Sequence, residues 1–165
     1  HLHRMVPCVP SPGNHEYVAT KTIAGIPLQS RLTHHWKNLF TLPQNGPPGL
    51  EETVYWFDYQ DVRIVSLNSN VAYFEQAEWL NRVLADNPRK WTIVTYHHPL
   101  YSSKEGRDNP LLRATWQPVF DMHHVDLALQ GHDHTYARTG PLTAENVPTG
   151  VAARGPTQGT VFVVS

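Results

Sequence analysis

Between residues 53 and 130 the sequence alternates short β-rich runs with longer stretches of helical spacing, and this alternation constrains the fold more than any other feature. Tyr55, Phe57 and Tyr59 alternate with Trp56 and Asp58, and the run Val62 to Asn68 follows a turn at Asp61, so Thr53 to Asn68 reads as a hairpin. Phe74 to Asp86 places Ala77, Leu80 and Leu84, with Trp79 and Val83, at helical spacing before Asn87-Pro88 stops the helix. Trp91 to His97 reads as a strand. Asn109 to His124 reads as a second helix, with Asn109 as its cap and Pro110 at its first position. The apolar runs Val125 to Gln130 and Thr160 to Val164 suit buried strands. Strands separated by helices imply an α/β fold with a sheet covered by helices.

The flanking segments carry weaker signals. Arg4 to Val9 suggests a short strand, and Ser30 to Phe40 a short helix packing Leu32, Trp36 and Leu39 or Phe40 on one side. Thr41 to Glu51 is rich in proline and glycine and reads as a loop. The expected pocket loops are Ser11–Thr20, Tyr101–Asn109 and Tyr136–Gly155.

With 165 residues, 40% of them hydrophobic, the chain has the size and apolar content of one folded domain. The formal net charge of −1 excludes a long-range basic field for nucleic acid or an anionic membrane. No apolar run approaches the roughly 20 residues of a membrane helix. Cys8 is the single cysteine, so neither an internal disulfide nor a cysteine-built zinc site is available. Histidine, with 11 copies, is the conspicuous chemical group.

Three histidine-bearing clusters fall at expected strand ends or beside them: Gly13-Asn14-His15-Glu16, Val94 to Pro99, and Gly131-His132-Asp133-His134. In extended backbone His132 and His134 would point to the same side, with Gly131 allowing a close approach or a sharp turn. His97 and His98 would face opposite ways, so only one of them could share a site with the others. Asn14 offers an amide oxygen for a hard or borderline cation, and His15 could donate a proton or hold a phosphoryl oxygen. Each cluster taken alone is equally compatible with solvated loop histidines. His34, His35, His123 and His124 have sufficient structural roles in or at the ends of helices, and His1 and His3 lie at a fraying terminus.

In this order and spacing, G-N-H-E, V-x-x-H and G-H-x-H resemble the calcineurin-like metallophosphoesterases, and among them the purple acid phosphatase branch. Tyr55 to Tyr59, Arg63 to Asn68, Gln76 to Leu80, His97 to Ser102 and Gly131 to Arg138 extend the resemblance over nearly the whole chain. It implies part of a four-layer α/β/β/α sandwich and a secreted or periplasmic protein, although no signal peptide is visible. It implies hydrolysis of small phosphate esters, of acid phosphatase type, by a hydroxide held on a pair of iron, zinc or manganese ions. Asn14, His97 and His132 would bind the second metal and His134 the first. His15 would contact the phosphate and protonate the leaving group, and His98 would act beside the substrate. Arg138 could hold substrate or form an ion pair.

The family's D-x-G and G-D-x-x-Y motifs have no counterpart ahead of Gly13. The expectation is therefore a single, N-terminally incomplete catalytic domain over residues 1–165, with one metal or none fully liganded. Two other outcomes fit the same residues: a phosphodiesterase or nucleotide hydrolase, and a metal-binding remnant without activity of its own. Neither nucleic acid nor membrane is expected as a partner, and the oligomeric state is open.

Overall fold

A computed structural model describes residues 7–24, 26–145 and 159–165. A two-stranded antiparallel hairpin, β1 (Tyr17–Ile23) and β2 (Ile26–Leu32), leads into a short helix α1 (His35–Leu39). There follow β3 (Tyr55–Tyr59), β4 (Val62–Ser66), α2 (Tyr73–Ala85), β5 (Trp91–Thr95), α3 (Pro110–Met122), β6 (Leu127–Gln130), β7 (Ala137–Leu142) and β8 (Thr160–Val164). The last six strands form one mixed sheet in the order β3-β4-β5-β6-β8-β7. Its centre, β4-β5-β6-β8, is parallel, and both outer pairs are antiparallel.

The parallel centre follows from the helices between its strands, because a crossover is what allows consecutive strands to run the same way. Both helices return over one face of the sheet. There Val65, Val94, Ala128 and Phe162 pack against Leu80, Leu84, Leu112, Trp116 and Phe120 in one apolar cluster. Trp116 and Phe120 are wholly buried, and burial of such side chains stabilises the fold by about 1.5–3 kcal/mol each. The indole Nε1–H of Trp116 donates to the Tyr73 carbonyl at 3.0 Å, which binds α3 to the start of α2. The other face alternates with the first along each strand. Its Ile64, Ile93, Leu127, Val161 and Val163 are only partly buried, and Trp91 and Leu129 are 47% and 40% exposed. The described residues thus supply one sheet and one helical layer of the expected sandwich.

The hairpin at 53–68, both long helices and the runs at 91, 125 and 160 lie where the sequence places them, within a few residues at their ends. Three segments differ. Residues 17–32, expected as part loop and part helix, form β1 and β2, so the helix is confined to His35–Leu39. Residues 137–142, expected as loop, pair with β8 across an irregularity between Arg138 and Pro141 that accommodates the Gly140-Pro141 pair. The strand expected from Trp91 to His97 ends at Thr95. Of the expected strand at Arg4 to Val9, the part up to Val6 lies outside the described residues and the rest is irregular. His1, His3 and the segment 146–155 also lie outside them.

Candidate functional site

Because β4, β5 and β6 run in parallel, their carboxyl ends open on one edge of the sheet, where α/β proteins place ligands. His97 and His98 follow β5, Gly131 to His134 follow β6, and Asn68 to Asn70 follow β4. A fourth segment, Pro10 to Glu16, is laid across these ends by hydrogen bonds. The Ser11 hydroxyl donates to the Thr95 carbonyl at 3.1 Å, Tyr55 donates to the Pro10 carbonyl at 2.8 Å, and the Asn70 amide donates to the Pro12 carbonyl at 2.9 Å. Asn14 to Glu16 form a single 3-10 turn, closed by the Gly13 N–H donating to the Glu16 carboxylate at 2.7 Å.

Asn14, His97 and His132 meet at one point. His97 Nε2 lies 2.7 Å from Asn14 Oδ1 and 3.0 Å from His132 Nδ1, and the last two atoms are 3.2 Å apart. Donors about 2.1 Å from a shared cation and at right angles to each other are about 3 Å apart, so this donor set fits a metal ion. Burial, and then the neighbouring His132, keep the His97 imidazole below its ordinary pKa. Burial, and then the Arg107 guanidinium, do the same for His132. Imidazoles held neutral are the form that ligates metal.

His98 joins this group, with ring atoms of His97, His98 and His132 all within 4.8 Å of one another. The alternation expected to turn His97 and His98 apart does not operate, because β5 stops at Thr95 and both residues sit in irregular backbone. The Ser69 hydroxyl accepts the His98 backbone N–H at 2.8 Å and lies 2.9 Å from its Nδ1. Burial, followed by the charges of His97 and His132, lowers the His98 pKa to about 4.

His132 and His134 are not extended either. Their φ angles of 74° and 53° lie in the left-handed region, which is strained for a side chain with a Cβ and is concentrated at functional sites. His134 is therefore exposed rather than stacked beside His132, yet both it and His15 remain near enough to disfavour the charged form of His97 and His132. His15 is exposed on the 3-10 turn. The close approach expected at Gly131 occurs at Gly13 instead. A Cβ there would stand 2.9 Å from His97 Nδ1, whereas one on Gly131 would make an ordinary 3.6 Å contact.

Three supports were not legible as such in the sequence. Gln76 is wholly buried; its Nε2 donates to the Asn68 carbonyl at 2.8 Å and its Oε1 accepts the Asn68 N–H at 2.8 Å, which fixes the turn bearing Ser69 and Asn70. Arg107 donates to the His132 carbonyl at 3.2 Å and brings a permanent cation to the histidines, while Arg138 is exposed on β7. Asn109 sits at the start of α3 without capping it, its amide donating to the Pro99 and Arg107 carbonyls at 2.8 and 3.0 Å. The Asp133 carboxylate is buried and accepts the Ser102 hydroxyl at 2.7 Å. Together these bonds tie the 101–109 loop to the loop after β6.

Comparison with known proteins converges on the same reading. A family model described as calcineurin-like phosphoesterase matches residues 1–136. Over 98% of its length the chain is 30% identical to an uncharacterized protein of Mycobacterium tuberculosis, of which it covers 35%. It is 27% identical to a purple acid phosphatase of Glycine max, with 89% of this chain and 33% of the relative covered. A solved purple acid phosphatase from yellow lupin (Lupinus luteus) seeds superposes with a TM-score of 0.62 at 27% identity, over 71% of this chain and 24% of that one. The chain spans about a third of the length of these curated relatives. By its motifs, its sheet and these matches, the chain belongs to the calcineurin-like phosphoesterase family, in its purple acid phosphatase-like branch.

Proposed function

We propose that this chain carries part of the active site of a metal-dependent hydrolase of small phosphate monoesters. The observation that carries the reading is the meeting of Asn14 Oδ1, His97 Nε2 and His132 Nδ1 within 2.7–3.2 Å of one another at the carboxyl edge of a parallel sheet. In this reading those three residues hold one metal ion and His134 contributes to a second, with iron, zinc and manganese all suited to such donors. Bound cations would lower the pKa of a coordinated water and neutralise charge on the phosphoryl oxygens. The chain's own groups do the remainder. His15, on its exposed turn, meets the phosphate and supplies a proton to the departing oxygen, a role suited to a group that titrates near neutrality. His98, braced by Ser69, stands on the substrate side. Arg107 adds a positive charge for the anionic substrate. The family resemblance also supports an extracytoplasmic location. No helix among the described residues is long and apolar enough to cross a membrane.

The test is to replace His97 or His132 by Ala in the full-length protein and to follow hydrolysis of a panel of mono- and diesters together with bound metal. Each replacement is expected to remove metal and to lower kcat/KM for monoesters by at least about a hundredfold. Unchanged turnover would sink the assignment, and a preference for diesters would replace monoester hydrolysis by the diesterase reading. Elemental analysis of the purified 165-residue chain addresses the inactive-remnant alternative. One metal or none per chain is expected, and two would make these residues a complete site.

A further inference from the structure

Beside His15 lies a cleft of about 440 Å³ that the metal-site reading leaves unused. Its walls include His15, Glu16, His35, Trp36, Leu39 and Phe40. The aromatic wall is fixed. Trp36 is 4% exposed and its indole N–H donates to the Glu52 carbonyl at 2.9 Å. Phe40 packs against it with ring centroids 4.9 Å apart and planes inclined by 57°. Leu39, by contrast, is 72% exposed at the lip, an apolar side chain that nothing described covers. A rigid aromatic wall with an unfilled apolar rim is what a flat apolar ligand requires.

The charges of the lining select further. Glu16 contributes a carboxylate and no Lys or Arg takes part. A second phosphate group, as in a polyphosphorylated substrate, would find no fixed cation here. His15 links the cleft to the histidine cluster, since it lines the cleft and also acts electrostatically on His97 and His132.

We infer that this cleft receives the alcohol portion of the substrate and that this portion is aromatic or otherwise flat and apolar, so that aryl phosphate monoesters are the favoured class. The inference rests on the phosphoesterase reading for the identity of the ester, but the cleft can be probed without turnover. Binding of 1-naphthol to the full-length protein is measured by isothermal titration calorimetry, for the native protein and for Leu39→Ser. KM values for 1-naphthyl phosphate and glycerol 3-phosphate are measured alongside. The native protein is expected to bind 1-naphthol, and Leu39→Ser to weaken that binding about fivefold, as loss of a partly buried aliphatic contact implies. The KM for the naphthyl ester should rise by a similar factor and that for the glyceryl ester should not change. Leu39→Asp provides a second variant at the same exposed position.

Absence of naphthol binding to the native protein overturns the inference while leaving hydrolysis intact; it is also the result expected if another part of the full-length chain fills the cleft. Equal KM changes for both esters overturn it too. Naphthol binding that responds to Leu39→Ser, with neither ester hydrolysed, supports the aromatic site and sinks the phosphoesterase reading instead.

Discussion

Gly13 illustrates how a single hydrogen atom in place of a side chain can decide the donor geometry. A Cβ at this position would stand 2.9 Å from His97 Nδ1, 3.0 Å from its Cε1 and 3.1 Å from the Glu16 carboxylate, so the imidazole would have to move. Gly13→Ala is expected to lower metal content and to reduce turnover of the full-length enzyme roughly 10–100-fold, the range typical of groups that orient ligands. The melting temperature should change little, because Gly13 lies outside the apolar cluster. Full metal content in the variant would show that His97 has room to adjust. The sequence made Asn14, His97, His132 and His134 visible as chemistry because amide and imidazole side chains recur beside expected strand ends. It assigned the essential glycine to Gly131, since a motif displays neighbours in sequence and His97 is a neighbour of Gly13 only in space. His98 was misdirected for a related reason: alternation is a property of strands, and β5 ends at Thr95.

Among the elements, the β3-β4 hairpin is fastened to α2 by charge as well as by apolar contact. Asp58 and Arg63 are paired across the hairpin, with Arg63 Nε donating to Asp58 Oδ1 at 2.9 Å. Arg63 also donates to the Val83 carbonyl of α2 at 2.7 Å and lies over the Trp56 ring at 4.0 Å, and Arg89 donates to the other Asp58 oxygen at 2.9 Å. The hydrogen bond from Arg63, with further help from Arg89, holds the Asp58 carboxyl below its usual pKa. A carboxylate depressed in the folded state stabilises the fold fully above its unfolded value of about 4, and that stabilisation is lost as pH falls through the lower folded value. Asp58→Asn should therefore cost about 1–3 kcal/mol at pH 7. The gap between the two proteins should narrow below about pH 4. Urea denaturation of both proteins at pH 7 and pH 3 measures this, and a gap unchanged with pH would remove the ion pair as its cause. The elements in this region were legible because their alternation and helical spacing are undisturbed. β7 was hidden by Gly140-Pro141, residues that ordinarily interrupt a strand and here coincide with its irregular pairing. The β1-β2 hairpin was hidden by the Pro-Gly signals just before it, which extended the apparent loop too far.

For the molecule as a whole, the two faces of the large sheet are unequal. Parallel strands are almost always covered on both faces, yet only one face here carries helices. The other presents Ile64, Ile93, Leu127, Val161 and Val163 partly open, with Trp91 and Leu129 at 47% and 40% exposure. An apolar area of this kind associates with whatever covers it. The 165-residue chain on its own is expected to bind an apolar dye such as anilinonaphthalene sulfonate and to self-associate with rising concentration. Leu129→Lys should reduce both effects without unfolding the chain. Sedimentation at several concentrations tests this, and a monomer without dye binding would show that the face is adequately shielded. This asymmetry was not legible in the sequence, because partly covered and fully covered strands read alike as apolar runs.

The position of β8 has a consequence for the order in which the chain can acquire its structure. The last strand in sequence lies between β6 and β7, so it completes the sheet from the inside. As the polypeptide leaves the ribosome, β6 has one unpaired edge and β7 has no partner until residues 160–164 emerge. The loop from Gly131 to His134 joins those two waiting strands. His132 therefore reaches Asn14, a contact spanning 118 positions, only after synthesis has passed it by some thirty residues, a delay of roughly two to six seconds at ordinary elongation rates. Capture of a cation by all three donors would then be among the last events of folding, and a sensitive report that the sheet has closed.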